Sequence, residues 1–277
     1  MSAPLYYDSH MHTPLCKHAV GEPEAYAETA IRRGLKGIIF TCHSPMPDGW
    51  WPQVRMDISQ LDEYLALVDR TAQTYAGRLD VRVGMEMDFF PGMEAWVASL
   101  SARCDFHHVL GSVHFFGADY RAKFWQGDLL AFQKQYFSHL AESAETGLFD
   151  TLAHPDLVKN LQPADYDFPQ IADHLGHCLD RIAATGVAME LNTSGRLKAN
   201  PEFNPGPAML ALMQQRHIPV VLGSDSHVPH RVGSDFADAL DALTGAGYTS
   251  VSHFLARQRV DLPIAEVRAS LANPPSD

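Results

Sequence analysis

Short apolar segments alternate with longer segments of helical periodicity along most of this chain of 277 residues, and that alternation limits the folds available to it. Most of the apolar segments are bounded by turn residues, as is typical of strands buried on both faces of a parallel sheet. Each is followed by a helix or a helical connection, which indicates an α/β protein. The predicted strands are residues 5–8, 37–41, 81–86, 107–110, 151–154, 188–192 and 220–224.

The helical segments have identifiable start and stop signals. The first begins with Pro23 and an acidic first turn, and it ends at Gly34, a residue type that tolerates the left-handed backbone found after helices. The predicted helices are residues 23–33, 58–76, 129–146, 171–185 and 208–216. Seven strands with helical connections predict a closed or nearly closed parallel barrel in a single domain over residues 1–277, with an open doubly wound sheet as the alternative.

His, Glu and Asp residues recur at the ends of the predicted strands. His10 and His12 follow the first strand, and their spacing of two places both imidazoles on the same side of an extended chain. Because parallel barrels place their chemistry at the carboxyl ends of the strands, the later members are expected to converge with this pair. Imidazole and carboxylate groups in one cluster predict a metal site. The later members are His43, Glu86, His114, His154, Asp225 and His227.

Composition excludes several other classes of function. The net charge of −12 disfavours a general nucleic-acid surface, because phosphate binding needs clustered Lys and Arg. No apolar run approaches the ~20 residues that a membrane-spanning helix needs, and the first residues do not resemble a signal peptide, so a cytoplasmic location is expected. The four cysteines show no CxxC spacing and are expected to be free thiols.

Six motifs, in the same order along the chain, resemble those of the PHP (polymerase and histidinol phosphatase) superfamily. They are Asp8-x-His10-x-His12, Thr41-Cys42-His43-Ser44-Pro45, Gly84-Met85-Glu86, Gly111-Ser112-Val113-His114, Ala153-His154-Pro155-Asp156 and Gly223-Ser224-Asp225-Ser226-His227. Residues 86–92, 190–196 and 224–233 are similar to the monofunctional histidinol-phosphate phosphatases within that superfamily. The resemblance implies a distorted (β/α)7 barrel of the PHP type that holds three divalent metal ions.

Carried over by position, the resemblance implies nine metal ligands in three groups. One metal would be bound by His10, His12, Glu86 and Asp225. A second would share Glu86 and add His114 and His154, and a third would be bound by His18, His43 and His227. These nitrogen and oxygen donors suit zinc, iron or manganese. A carboxylate that bridges two ions, as Glu86 would, is typical of two-metal phosphoryl chemistry.

The resemblance also implies hydrolysis of L-histidinol phosphate to L-histidinol and inorganic phosphate, a step of L-histidine biosynthesis, by attack of a metal-bridging hydroxide on phosphorus. The residues assigned to catalysis are Glu86, Asp225, His227 and Arg196, whose planar guanidinium would also bind the phosphate. The other substrate contacts are assigned to Lys159, Asp88, Asp156, Ser44 and His230. An aromatic wall for the imidazole ring is expected among Trp50, Trp51, Phe115, Phe116 and Trp125.

Three alternatives remain open at the level of sequence. The same metal site could act on another phosphomonoester, a phosphotyrosine peptide or a nucleotide phosphodiester. A metal-binding domain without activity is a second alternative, although a non-catalytic domain would be free to lose Glu86 and Asp225. An amidohydrolase barrel is the third, but those enzymes usually bridge two metals with a modified lysine, and no lysine lies at a suitable strand end.

Overall fold

The centre of the molecule is a parallel barrel, seen in a computed structural model that describes residues 3–272 except for the side chain of Asp48. The barrel strands are β1 (Tyr7–Asp8), β2 (Gly37–Phe40), β3 (Asp80–Val83), β4 (Met85–Asp88), β5 (Val109–Ser112), β6 (Thr151–Leu152), β7 (Ala188–Asn192) and β8 (Val220–Gly223). A terminal hairpin adds β9 (Ser250–Leu255) and β10 (Gln258–Pro263). The helices are α1 (Pro23–Arg32), α2 (Leu61–Thr74), α3 (Glu94–Ser101), α4 (Ala118–Phe124), α5 (Leu129–Glu145), α6 (Phe168–Thr185), α7 (Pro207–Gln215), α8 (Phe236–Ala246) and α9 (Ile264–Leu271).

One extended segment joins the two hydrogen-bonded sheets of the barrel. The sheets have the strand orders β1-β2-β3 and β10-β9-β8-β7-β6-β5-β4. β3 pairs with β2, whereas β4, which continues the chain after Gly84, pairs with β5. The N–H of Gly84 donates to the carbonyl oxygen of Phe40 at 2.7 Å. A glycine is needed at this junction because a Cβ there would lie 2.4 Å from the backbone oxygen of His108.

The barrel closes between β1 and β8 through a few individual contacts. The N–H of His12 donates to the carbonyl oxygen of Ser226 at 2.9 Å. Deeper in the barrel, the Tyr6 hydroxyl accepts from the N–H of Leu222 at 2.9 Å and donates to the carbonyl oxygen of Ser252 at 2.7 Å. With β3 and β4 counted as one strand, the fold is a distorted barrel of seven strands, as the resemblance implied.

Helices cover the barrel with one apolar face each. In α6, for example, Ile171, Leu175, Leu179 and Ile182 recur at helical spacing, and all four side chains are fully buried. The strands β2 and β8 are buried along their whole length, which explains why they are continuously apolar or small in sequence. β7 is equally buried but carries Glu190 and Asn192. Within residues 3–272, no helix combines the length and apolarity needed to cross a membrane.

The predicted elements are confirmed in kind, although several ends differ. The strand at residues 188–192 coincides with β7, whereas β5 begins two residues later than predicted. The predicted second helix is a 3-10 turn, Ile58–Gln60, followed by α2. Sequence analysis missed α3, α4, α8, α9 and the hairpin of β9 and β10. β10 is mostly exposed, so it lacks the apolar pattern by which buried strands are recognised.

Candidate metal centre

The nine side chains predicted to bind metal converge at the carboxyl end of the barrel. The ring centroids of His12 and His227 are 3.9 Å apart, those of His12 and His43 are 4.3 Å apart, and those of His18 and His227 are 4.5 Å apart. His114 and His154 lie on the other side of the cluster, with centroids 5.0 Å apart. Strands β1, β2, β4, β5, β6 and β8, with the loops that follow them, supply the members. The arrangement therefore depends on barrel closure, which brings residues 8 and 225 to one edge.

Glu86 lies at the centre of the cluster, fully buried on β4. Its Oε2 lies 2.6 Å from Nδ1 of His43 and 3.5 Å from Nε2 of His10. Its Oε1 lies 2.9 Å from Nε2 of His154 and 3.4 Å from Nε2 of His114. Each oxygen of one carboxylate thus faces a different set of imidazoles, as a carboxylate that bridges two cations would.

Asp225 contributes the second carboxylate. Its Oδ1 lies 3.1 Å from Nε2 of His12 and 3.6 Å from Nε2 of His10, while its Oδ2 accepts from the Ser194 hydroxyl at 2.8 Å. Asp225 and His154 both have left-handed backbone torsions, with φ of 49° and 29°. Such torsions cost free energy in residues other than glycine and cluster at functional sites.

Four imidazoles are oriented by a hydrogen bond at Nδ1 that leaves Nε2 free. Nδ1 of His114 lies 2.6 Å from Oδ1 of Asp88, and Nδ1 of His10 lies 2.7 Å from Oε1 of Glu190. Nδ1 of His18 and of His227 each contact a backbone carbonyl, at 2.8 Å and 3.0 Å. An acceptor at Nδ1 fixes the proton there, so that Nε2 presents its lone pair as metal-binding histidines do.

Burial and charge set the protonation of the cluster. Burial favours the neutral form of His43 and His114 and lowers the pKa of both. Burial, with a contribution from His12, lowers the pKa of His227 to about 3. Burial also opposes ionisation of Glu86, yet the facing imidazoles outweigh it and hold the pKa of that carboxyl well below its usual range. Burial also opposes the charged form of His10 and His12, yet the neighbouring carboxylates outweigh it and raise the pKa of both, that of His12 to about 8. The cluster therefore offers ionised carboxylates and three neutral imidazoles, the forms that coordinate cations, whereas a cation bound at His10 and His12 would displace a proton from each ring.

Several of these atoms are buried without a hydrogen-bond partner in the described part of the chain. They include Nε2 of His10 and Nε2 of His227. Nδ1 of His43 and Oε2 of Glu86 belong to the same set, because their contact at 2.6 Å lacks hydrogen-bond geometry. Buried polar groups are almost always paired, because an unpaired one costs about 1–3 kcal/mol. Triads such as His10, His12 and Glu86 offer ligand atoms within 4.8 Å of one another. The residues thus fit divalent ions that accept nitrogen and oxygen donors.

A cavity of about 430 Å³ opens above this cluster. Its floor contains His18, His43, His114, His154, Asp225 and His227, and its walls contain Trp51, Val54, Arg55, Phe116, Leu157 and Lys198. Trp51 and Phe116, two of the five aromatic residues expected to form a wall, therefore line it. The remaining three contact the protein instead: Trp50 stacks on Phe90 at 4.7 Å, Phe115 is fully buried, and Trp125 packs on Phe132.

Two of the basic residues predicted to bind phosphate are engaged by protein groups. Arg196 lies outside the cavity wall and pairs with Asp238 at 2.6 Å, while its guanidinium covers the ring of Phe203. Lys159 is buried and pairs with Asp156 at 3.0 Å, and the same ammonium donates to the carbonyl oxygen of Phe203 at 2.6 Å. Direct phosphate contact by either residue is therefore not available in this conformation, because their charges are already compensated.

The other predicted substrate contacts also lie away from the cavity wall. Asp88 is held by the guanidinium of Arg55, at 2.7 and 2.9 Å, which lowers the pKa of Asp88 to about 2 in spite of its burial. It therefore has no free oxygen for a substrate ammonium group. Ser44 is buried beside β4, where its N–H donates to the carbonyl oxygen of Glu86, and His230 lies on an exposed 3-10 turn. The structure thus places these side chains outside the cavity wall, and their contact with substrate stays a prediction.

Sequence reasoning missed three residues of the site. Arg55 is 2% exposed and reaches the cavity from an irregular loop, where no periodicity marks it. Lys198 lies two residues beyond the predicted Arg196, and its charge helps to lower the pKa of Asp225. Glu190 lies in the similar segment 190–196, on a strand that was predicted to be buried. Because a buried carboxylate needs hydrogen-bond partners, that position was the signal that could have identified Glu190 as part of the site.

Comparison with known proteins gives a consistent family. The PHP domain model matches residues 8–194. A probable histidinol-phosphatase of Deinococcus radiodurans is 41% identical over 251 residues, which cover 88% of this chain and 95% of that protein. A histidinol-phosphatase of Bacillus subtilis is 26% identical over 82% of this chain and 95% of its own length.

A solved structure shares the fold. The histidinol phosphate phosphatase of Lactococcus lactis, determined in complex with zinc, L-histidinol and phosphate, superposes with a TM-score of 0.78. The superposition covers 92% of this chain and 98% of that chain at 19% sequence identity. The family model and the relative with 41% identity together show that this chain belongs to the PHP domain family.

Proposed function

We propose that this protein is a metal-dependent phosphatase that hydrolyses L-histidinol phosphate to L-histidinol and inorganic phosphate. The observation that supports this most strongly is the cluster of imidazoles and carboxylates around Glu86 at the floor of an open cavity. The histidinol-phosphatase relatives in Deinococcus radiodurans and Bacillus subtilis support the substrate. The Lactococcus lactis structure, with zinc, L-histidinol and phosphate bound, supports both the metal and the ligand class.

In this proposal the cluster holds three divalent ions. His10, His12, Glu86 and Asp225 hold the first, Glu86 with His114 and His154 holds the second, and His18, His43 and His227 hold the third. When bound, such ions supply Lewis-acid stabilisation of phosphoryl oxygens and lower the pKa of water, with zinc, iron and manganese all suited to the donors. Glu86, Asp225 and His227 serve catalysis by fixing that charge beside the phosphorus.

The phosphate is held from the cavity wall by Lys198. Within residues 3–272, Lys198 has no carboxylate partner within ion-pair distance, and it lines the same cavity as Asp225 and His227. An unpaired ammonium can neutralise a phosphoryl oxygen, whereas Arg196 and Lys159 are already paired. Arg55 lines the same cavity, but its guanidinium already donates to both oxygens of Asp88 and to the carbonyl oxygen of Val54.

The imidazole ring of the substrate packs on the apolar wall. Trp51, Phe116, Val54 and Leu157 line the same cavity as the metal cluster, and the ring of Trp51 lies 6.1 Å from that of His114. Phe116 is 47% exposed, which is unusual for a large aromatic side chain and leaves its ring available for contact. Trp51 has a left-handed backbone, φ 52°, and its ring lies 4.8 Å from the Arg55 guanidinium.

The proposal is tested by measuring phosphate release from L-histidinol phosphate beside a panel of other phosphomonoesters, a phosphotyrosine peptide and a dinucleotide. Metal content is determined on the same sample. We expect kcat/KM for L-histidinol phosphate to exceed that for every other substrate by ~100-fold or more, which corresponds to about 2.7 kcal/mol.

Two controls make the assay decisive. Glu86→Gln should lose activity and metal together, whereas Glu63→Gln, on the exposed face of α2, should retain both. Comparable slow rates on all substrates, with metals bound, would overturn the assignment of substrate. A metal-free protein that remains inactive after incubation with zinc, iron or manganese would overturn the phosphatase itself.

A further inference from the structure

Beside the nine predicted ligands lies a sulfur atom that the proposed centre does not use. We propose that Cys16 adds a thiolate ligand at the position of the third ion, beside His18 and His227, which makes this position selective for thiophilic ions such as zinc. The sulfur and one nitrogen of each histidine lie within 4.8 Å of one another. The inference rests on the proposed metal centre and specifies one of its positions.

The two histidines present free nitrogens to this position. Nδ1 of His18 donates to the carbonyl oxygen of Cys16 at 2.8 Å, and Nδ1 of His227 donates to the carbonyl oxygen of Asp225 at 3.0 Å. Because a carbonyl oxygen can only accept, both rings have their proton on Nδ1 and a lone pair on Nε2. Nε2 of His227 is buried and has no hydrogen-bond partner among the described residues.

The local backbone holds Cys16 in place. It ends the 3-10 turn Pro14–Cys16, which begins with a proline of fixed φ and closes through a hydrogen bond from the N–H of Lys17 to the carbonyl oxygen of Pro14 at 2.8 Å. Cys16 is completely buried beneath the cavity floor. Its own carbonyl orients His18, so this residue would supply one ligand and position another.

A neighbouring cysteine is engaged differently. The sulfur of Cys42 accepts from the N–H of Thr13 at 3.4 Å and from the Thr13 hydroxyl at 3.3 Å. It also lies within 4.8 Å of the sulfur of Cys16 and of a ring nitrogen of His12. Cys42 is therefore a matched control: a buried thiol beside the centre that is bound to a threonine.

The donor set determines the chemistry. Two imidazoles and a thiolate favour zinc and disfavour manganese, whereas the oxygen and nitrogen donors around Glu86 accept either. Binding converts the Cys16 thiol to a metal thiolate and releases one proton to solvent for each ion bound. The centre would then have one position that retains zinc and others whose metal depends on supply.

The test is a titration of metal-free protein with Co²⁺, which gives an intense thiolate-to-metal charge-transfer absorption in the near ultraviolet only when sulfur is bound. We expect the band in the wild-type protein, its loss in Cys16→Ser, and its retention in Cys42→Ser and in Cys178→Ser on α6. No band in wild-type protein loaded with cobalt would overturn the proposal, as would a band that persists in Cys16→Ser. Loss in Cys42→Ser alone would assign the sulfur to the other cysteine.

A second measurement needs no variant. X-ray absorption at the zinc edge of the wild-type protein should show a sulfur shell at about 2.3 Å, and shells of nitrogen and oxygen alone would refute the thiolate. Phosphate release is measured on the same sample. Hydrolysis of L-histidinol phosphate without any sulfur signal refutes only the role of Cys16. A sulfur signal without hydrolysis refutes the proposed function and supports the ligand.

Discussion

Glu190 is not one of the nine predicted metal ligands, yet it contacts two of them. Its replacement by glutamine therefore gives the sharpest prediction about metal binding. The carboxylate is 1% exposed on β7. Its Oε1 accepts from Nδ1 of His10 at 2.7 Å. Its Oε2 accepts from the N–H of His154 at 2.8 Å and from the side-chain amide of Asn192 at 2.9 Å. All three partners are donors.

Glu190→Gln preserves the shape of the side chain but replaces one acceptor oxygen with a donor NH₂ group. If that group faces His154 and Asn192, two donors lose their acceptor inside the protein. If it faces His10, the imidazole must move its proton to Nε2, the nitrogen that points towards Glu86 and Asp225. Either orientation costs free energy, and the second also blocks a metal ligand.

The expected loss follows from the contacts. A hydrogen bond to a charged group contributes about 1.5–3 kcal/mol, and every 1.4 kcal/mol is tenfold in affinity. This predicts a weakening of zinc binding by roughly 10- to 100-fold, the range found when outer-sphere partners of metal ligands are replaced. We expect the thermal stability of the metal-bound form to fall more than that of the metal-free form, because the loss is concentrated at the ligands.

The assay is a zinc titration of metal-free protein in competition with a chromophoric chelator. Glu63→Gln, exposed on α2, removes the same charge far from the centre and should bind zinc as the wild type does. If Glu190→Gln bound zinc within twofold of the wild type, the orienting role argued here would be wrong. An equal loss in Glu63→Gln would instead assign the effect to net charge.

Three further predictions concern Gly223 at the end of β8, the buried His108 and Lys198 on the cavity wall. A Cβ at Gly223 would lie 1.8 Å from Oε1 of Glu190. Gly223→Ala should therefore lower the free energy of unfolding by about 1–3 kcal/mol and weaken zinc binding. A variant with the stability and the zinc affinity of the wild type would contradict this prediction. Burial lowers the pKa of His108 to about 3, and the unfolded chain, with the ordinary value of 6.5, therefore binds more protons below pH 6.5. The free energy of unfolding of metal-free protein should thus fall as pH drops from 6.5 towards 3, and this group contributes up to ~1.4 kcal/mol per pH unit. Denaturant titration should show a shallower fall with pH in His108→Gln. The same dependence on pH in both proteins would refute this prediction. Lys198→Met should lower kcat/KM for L-histidinol phosphate by about 10- to 100-fold with metal content unchanged, and more than Arg196→Met does; the reverse order would restore the phosphate contact to Arg196.

The order of the barrel strands and of five helices could be predicted from the sequence, because most barrel strands are short and apolar and most of these helices are followed by a glycine. The five helices are α1, α2, α5, α6 and α7. Gly34 after α1 and Gly186 after α6 both have positive φ, as their positions predicted. The terminal hairpin was missed because β10 is exposed and charged. The closure of the barrel between β1 and β8 could not be predicted either. The Tyr6 hydroxyl bonds backbone groups far away in the sequence, and such a contact leaves no periodic pattern.

The sequence by itself determined which residues cluster, because the fold class fixes where strand ends lie and the nine predicted ligands all follow strand ends or adjacent loops. Only the tertiary structure decided which atom of each ligand faces the centre and which cations remain unpaired. Those properties depend on partners distant in sequence. They are Glu190 for His10, Asp88 for His114, Asp238 for Arg196 and Glu202 for Lys159. Residue type and spacing are local, whereas hydrogen-bond satisfaction and charge compensation depend on what the folded chain packs alongside.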